Sequence, residues 1–387
     1  MELRSGTPEE AGMSPSRIEH VKELAAGWVV DGATPALVVL VARRGVVVLH
    51  EAYGRLTPDS DSPPLQRDSL FPISSTTKPI TATAIMALVE DGLLGLNRPV
   101  QGYIPEFVGD GKEDVLVHHL LTHTSGLDLV FGFTPPDGTS EEMGLPPNEE
   151  TQHPLVHALL YPEFGTPLSM RPGEKMAYCN LNYALLGEIV RRVSGQSYAN
   201  FAAERILGPL GMGDTHFIVP DRARSRAVKR PDTSAFAYLN AQWIMDTPMP
   251  WSGVYSTARD MAVFGQMFLN GGVYGDARIL SPPTVAAMTR NQIPGIGTSR
   301  WGEYHDEAFW GYGWNIYGGD DWESFPGTLQ SPATFRHGGV GVVLLWVDPV
   351  YELVGVYFSV ALEMFDSANA KSEWELFVNA VTAAVDD

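Results

Sequence analysis

The 387-residue chain contains a single cysteine, Cys179, so no internal disulfide can staple it. That fits a reducing compartment. The N-terminus, Met-Glu-Leu-Arg-Ser-Gly, shows no basic patch followed by an apolar stretch, so a cytoplasmic protein is expected. Basic residues are scarce: 26 Lys and Arg stand against 46 Asp and Glu, a formal charge of −20. Such a surface repels phosphate backbones and anionic lipid, which argues against nucleic acid or a membrane as partner. No apolar run approaches the roughly 20 residues that a spanning helix needs. The longest runs, Ala36–Ala42 and Val340–Val347, are strand-sized. The nucleophile-elbow pattern Gly-x-Ser-x-Gly is missing, and so is the phosphate-binding Gly-x-x-x-x-Gly-Lys-Ser/Thr loop. His118, His119 and His123 cluster, but without the Glu of a His-Glu-x-x-His pair or a third ligand nearby. No metal and no cofactor are therefore expected.

What is present is an ordinary globular composition, 44% hydrophobic and 19% charged, long enough for one large domain or two moderate ones. Pro15–Ala26 carries Ile18, Val21 and Leu24 at helical spacing, with Ser14 placed to cap the helix and Pro15 at its first position. Ala36–Ala42 and Val46–Tyr53 are β-branched runs around Arg43-Arg44-Gly45, the pattern of a hairpin. Val342–Val347 and Leu353–Val360 repeat that pattern near the other end, followed by an amphipathic stretch over Ser372–Val385. Strands from both ends should share one sheet. Between them, Pro79–Glu90 and Leu181–Val193 read as helices amid long Pro- and Gly-rich connections. The expected division is an α/β unit from residues 1–70 and 275–387 and a helical unit over 71–274. Leu127–Gly173, with eight prolines, admits two readings: a lid or pocket wall, or a surface insertion without chemical consequence.

Three short motifs carry chemistry. In Phe71-Pro72-Ile73-Ser74-Ser75-Thr76-Thr77-Lys78, a hydroxyl precedes a lysine by three positions at the start of a helical segment, so Ser75 and Lys78 fall on one face. A serine needs a neighbouring base, and a lysine serves only if burial or nearby positive charge lowers its pKa. Among the six lysines, only Lys78 has a serine at this spacing. Pro79 is tolerated in a first turn, which places Ser75 near a helix N-terminus, where amides and dipole favour the charge an attacked carbonyl oxygen acquires. Tyr178-Cys179-Asn180 stands just before Leu181–Val193; a phenol beside a lysine can relay a proton, and the Asn amide can orient substrate. By itself this tripeptide carries no signal, since a tyrosine is more often a core or surface residue than a base. His337-Gly338-Gly339 lies at the edge of the Val342–Val347 strand, where glycines let a substrate backbone approach and His337 would supply a donor at the rim; alone it reads as a turn. Trp310-Gly311-Tyr312-Gly313-Trp314 offers rings for a pocket wall or for the core.

Taken in order, Ser75-x-x-Lys78, Tyr178-x-Asn180 and His337-x-Gly339 resemble the three active-site motifs of class C β-lactamases, DD-peptidases and the related family VIII bacterial carboxylesterases. The opening Thr7–Gly12 and the segment His119–Leu127 are similar as well, so the resemblance spans nearly the whole chain. It implies an α/β domain, with an antiparallel sheet built from both termini, packed on a helical domain with the site between them. It also implies that Ser75 forms an acyl-enzyme, that Lys78 and Tyr178 exchange its proton, and that the N–H groups of Ser75 and Val340 form the oxyanion hole. Most β-lactamases and peptidases of this type carry Lys-Thr-Gly or a close relative where this chain has His337-Gly338-Gly339. The missing cation favours esters of small to medium acyl groups over penicillins. A β-lactamase, DD-peptidase or D-amino-acid amidase is the alternative, and a non-catalytic binder on the same scaffold a more distant one.

Overall fold

The computed structural model describes residues 1–128, 134, 138, 140–300, 303–318, 327–360 and 368–387. Part of the proline-rich segment Leu127–Gly173 therefore lies outside the described residues.

The sheet is built from both ends of the chain, as expected. Its strands are β1 (Arg4–Ser5), β2 (Ala36–Arg43), β3 (Val46–Gly54), β4 (Asn315–Ile316), β5 (Phe335–Gly339), β6 (Val343–Asp348) and β7 (Leu353–Ser359), in the spatial order β1-β3-β2-β7-β6-β5-β4. The pairs are antiparallel except β1 with β3, which runs parallel and makes the sheet mixed.

Why β2, β6 and β7 are apolar without interruption follows from what covers them. Successive side chains of a strand point to opposite faces. On β2, Leu37, Val39 and Val41 enter a core with Ile18, Val21, Phe377 and Val381, whereas Val38, Leu40 and Ala42 enter a larger core with Ile80, Ile85 and Phe264. The first core belongs to helices α1 (Pro15–Val30) and α5 (Ala368–Thr382); the second is filled by α2 (Lys78–Glu90), α3 (Asn180–Ser194) and α4 (Ala258–Leu269). A sheet covered on both faces needs no polar alternation. Each fully buried Val or Leu in it contributes about 1.5–3 kcal/mol.

Local signals are followed in position and modified in detail. Pro15 takes the first turn of α1 after Ser14, but the Ser14 hydroxyl pairs with Ser16 Oγ at 3.2 Å and makes no capping bond. α4 is capped as the chemistry of threonine allows, Thr257 Oγ1 accepting the Asp260 N–H at 3.2 Å. α2 is buried on all sides from Lys78 to Leu88, the pattern of a central helix. No helix among the described residues is long and apolar enough to cross a membrane.

Candidate active site

Ser75 lies in a 3-10 turn, Ser74–Thr77, that leads directly into α2, with Pro79 in the first helical turn. Ser75 thus stands just ahead of the N-terminus of α2, where the sequence places it. It is stitched at several points: Ile73 N–H donates to the Val254 carbonyl at 2.9 Å, Thr77 Oγ1 accepts the Val254 N–H at 3.3 Å, and Thr76 Oγ1 donates to the His337 carbonyl at 3.3 Å. Ser74 takes φ +48, a left-handed conformation uncommon outside glycine and asparagine, and its buried Oγ has no hydrogen-bond partner among the described residues. A strained, over-determined turn thus presents Ser75.

Lys78 is fully buried, and its amine lies 3.1 Å from Ser75 Oγ, 2.8 Å from Asn180 Oδ1 and 3.0 Å from the Trp251 carbonyl oxygen. Burial holds its pKa well below that of an ordinary lysine. The Tyr178 ring stands 4.8 Å from this nitrogen and the buried Tyr183 ring 5.7 Å, both measured to the ring centroid. Tyr178 remains more than one-third exposed, whereas Tyr183, buried behind it, has its phenol pKa pushed well up by desolvation.

The structure brings the first two motifs together, because Asn180 opens α3 and Lys78 opens α2, so two helix N-termini meet. Asn180 turns its carbonyl oxygen to the lysine, a partner that substrate orientation alone would not suggest. The third motif forms a strand of its own, β5, in place of a turn. Gly339 is required there: a methyl group on its Cα would lie 2.4 Å from the Ile73 carbonyl oxygen and 3.2 Å from Ser74 Cβ, so only glycine lets β5 reach the serine turn. His337 departs from expectation. It is 3% exposed, its Nδ1 donates to the Gly338 carbonyl at 2.8 Å, and its ring packs 5.6 Å from Trp310, so it sits beneath the surface and not at the rim. Gly338 lies against Trp374.

Beside Ser75 opens a narrow cleft lined by Ser74, Asn180, Tyr238, Leu239, Ile244, Met249, Ser252 and Val340. Val340 lines the same cleft as Ser75. Of the aromatic run before β5, Trp310 joins the site against Tyr178 and His337, while Trp314 goes to the core between Phe264, Phe268 and Phe335. His118 pairs with the Tyr312 hydroxyl at 3.1 Å, and His119 Nδ1 accepts the Leu116 N–H at 3.1 Å; both imidazoles are thus engaged locally. Sequence reasoning missed the Trp251 carbonyl and His123. A main-chain oxygen leaves no residue-type signal, and His123 drew notice only as part of a histidine cluster.

The chain is similar to several known proteins. An uncharacterized protein from Mycobacterium tuberculosis is 30% identical over 261 residues, covering 59% of this chain and 61% of that protein, so the match spans about three fifths of that relative. Among solved structures, a penicillin-binding protein homolog from Caulobacter crescentus superposes with a TM-score of 0.76 at 22% identity, covering 96% of this chain and 99% of that one. A family VIII carboxylesterase superposes with a TM-score of 0.74 at 22% identity and the same coverage. The profile of the Beta-lactamase family matches residues 18–376, nearly the whole sequence, and the chain belongs to that family.

Proposed function

We propose that the chain is a serine carboxylesterase that hydrolyses esters of small to medium acyl groups through an acyl-enzyme on Ser75. One observation carries the reading. A neutral amine has two N–H groups and one lone pair, and two of the three neighbours of Lys78 Nζ, Asn180 Oδ1 and the Trp251 carbonyl, can only accept. In the neutral form both N–H groups are thereby engaged, which leaves the lone pair for Ser75 Oγ at 3.1 Å. With the pKa of Lys78 lowered by burial, this amine is a base aimed at a hydroxyl.

Ser75 Oγ attacks the ester carbonyl carbon while its proton passes to Lys78 Nζ. The carbonyl oxygen takes up negative charge facing the N–H groups of Ser75 and Val340. Collapse breaks the bond to the alcohol oxygen, which leaves with a proton delivered from Lys78 by way of Tyr178, and the acyl group stays on Ser75. Water then attacks the acyl carbon, its proton passing to the same base, and the acid departs as Ser75 recovers its hydrogen.

An ester is favoured over a penicillin by the walls. Tyr238, Leu239, Ile244 and Met249 bring no cation to the cleft, and the residue in place of the usual lysine, His337, is buried with Nδ1 turned to Gly338. The fold shared with a family VIII carboxylesterase is in keeping with this reading. The test compares the protein with Ser75→Ala on a short-chain p-nitrophenyl ester and a chromogenic cephalosporin. Ester turnover should vanish in the variant, with little cephalosporin turnover in either. Faster cephalosporin turnover would establish the β-lactamase, DD-peptidase or amidase alternative, and ester turnover that survives in Ser75→Ala would remove Ser75 as the nucleophile.

A further inference from the structure

His123 has no part in the chemistry above, yet it holds Tyr178 on three sides. It is 1% exposed and takes φ +56, a conformation that costs a histidine free energy unless its surroundings enforce it. Its carbonyl accepts the Ala177 N–H at 2.8 Å, and its Nδ1 accepts the Cys179 N–H at 3.2 Å, so the residues before and after Tyr178 are both bonded to it. Its imidazole packs on the phenol ring, with centroids 4.3 Å apart and 33° between planes. The clamp is itself supported. Asn182 Nδ2 lies 3.3 Å from the same Nδ1, Asn182 Oδ1 accepts from Ser125 Oγ at 2.6 Å, and the edge of Trp310 closes in at 5.2 Å. A ring nitrogen facing two N–H donors must be the acceptor, so this imidazole is neutral with its proton on Nε2.

We propose that His123 is the positioning residue of Tyr178. Its backbone and ring bonds fix the main chain on both sides of the phenol, and its face fixes the phenol's tilt, so that Tyr178 stays beside the Lys78 amine throughout proton transfer. The left-handed backbone at residue 123 turns the carbonyl and the imidazole of one residue toward the same short segment. The inference rests on the esterase reading, since an orientation matters only where a proton is relayed.

Two substitutions separate the clamp's parts. His123→Asn keeps an acceptor oxygen and tolerates positive φ but removes the ring; His123→Phe keeps a ring but removes the acceptor and fits the backbone poorly. The experiment measures kcat and KM on a p-nitrophenyl ester, with kcat normalised to Ser75 labelled by a phosphonate reagent and thermal melts recorded alongside. Misplacing a reacting group by about 1 Å costs on the order of a hundredfold, so kcat should fall about a hundredfold in His123→Phe, with KM nearly unchanged. In His123→Asn, which restores the Cys179 bond, kcat should fall by about tenfold. A purely structural histidine would lower the melting temperature or the labelled fraction and leave kcat per labelled site intact; wild-type kcat in either folded variant overturns the proposal. Should His123→Phe not fold, His123→Asn alone decides it. Failure of the esterase reading is distinguishable, because it shows in the wild-type protein as absent labelling or absent Ser75-dependent turnover, and it takes this proposal with it.

Discussion

At the scale of single residues, Lys78 sets the pH range in which the site can work. The unfolded chain would hold this amine protonated to the ordinary lysine value, whereas burial lowers the value well below that in the fold. The base is the neutral form, so activity is present above the lowered pKa and is lost as pH falls through it; on stability the same shift acts in the same direction, native stability rising with pH between the lowered and the ordinary value. A profile of kcat/KM against pH should show this acid limb. Lys78→Arg puts a group at the same place that stays protonated across the range. Removal of a general base costs typically 10²–10⁴-fold, so kcat should fall by about that factor at every pH, and the acid limb should disappear with it. A variant that kept both the rate and the limb would transfer the base's role elsewhere. Lys78 was legible in the sequence because lysine is rare in this chain and only this one follows a serine by three positions. The acceptors that orient it were not: Asn180 was noticed for a different partner, and the Trp251 oxygen belongs to the main chain.

At the scale of elements, the site depends on how closely α3 approaches the loop that carries Trp251. Gly187 in α3 faces Pro250, and a methyl group there would lie 2.1 Å from Pro250 Cγ. Pro250 is anchored in turn, its carbonyl accepting from Thr81 Oγ1 at 2.6 Å, and the next carbonyl is the one that holds Lys78. Gly187→Ala would gain up to about 1 kcal/mol of helix propensity at an exposed site. In this packed position overpacking should win, giving a net loss of about 1–3 kcal/mol in urea denaturation and a lowered kcat as Trp251 is displaced. Stabilisation with unchanged kcat would show that Pro250 yields freely. Which elements could be read from sequence follows the same packing logic. The strands β2, β6 and β7 announced themselves because cores on both faces demand unbroken apolar runs, and α3 because Leu181–Val193 keeps helical periodicity. β5 did not, since Phe-Arg-His-Gly-Gly has neither β-branching nor alternation. It is a strand because its register against β6, His337 opposite Leu345 and Gly339 opposite Val343, is imposed by the sheet.

At the scale of the whole molecule, residues 261 positions apart in sequence, Thr76 and His337, are hydrogen-bonded because strands from the two ends of the chain complete one sheet and set β5 beside the serine turn. Their order along the chain could be read from motifs, but their meeting is a property of long-range pairing that no local window contains. Arg43, at the end of β2, is where these distant parts are tied. Its side chain is 2% exposed and donates to the carbonyls of Ala11 at 3.0 Å, Gly12 at 2.6 Å and Tyr351 at 2.9 Å, and to Asp387 Oδ1 at 2.6 Å. One guanidinium thus joins the segment before α1, the β6–β7 connection and the residues after α5. Arg43→Met keeps much of the apolar stem but leaves those carbonyls without a donor. Hydrogen bonds to a charged group are each worth about 1.5–3 kcal/mol, and partial replacement by water brings the expected net loss to about 3 kcal/mol. That loss should appear as a lower urea midpoint with an unchanged slope, because the same surface is exposed on unfolding. The partners of Arg43 include no group of the Ser75 site, so kcat of the folded variant should match the wild type. A change in kcat without a change in midpoint would mean that the end of β2 and the nucleophile turn are coupled through β2 and β7, and that the two faces of the sheet do not act as separate cores.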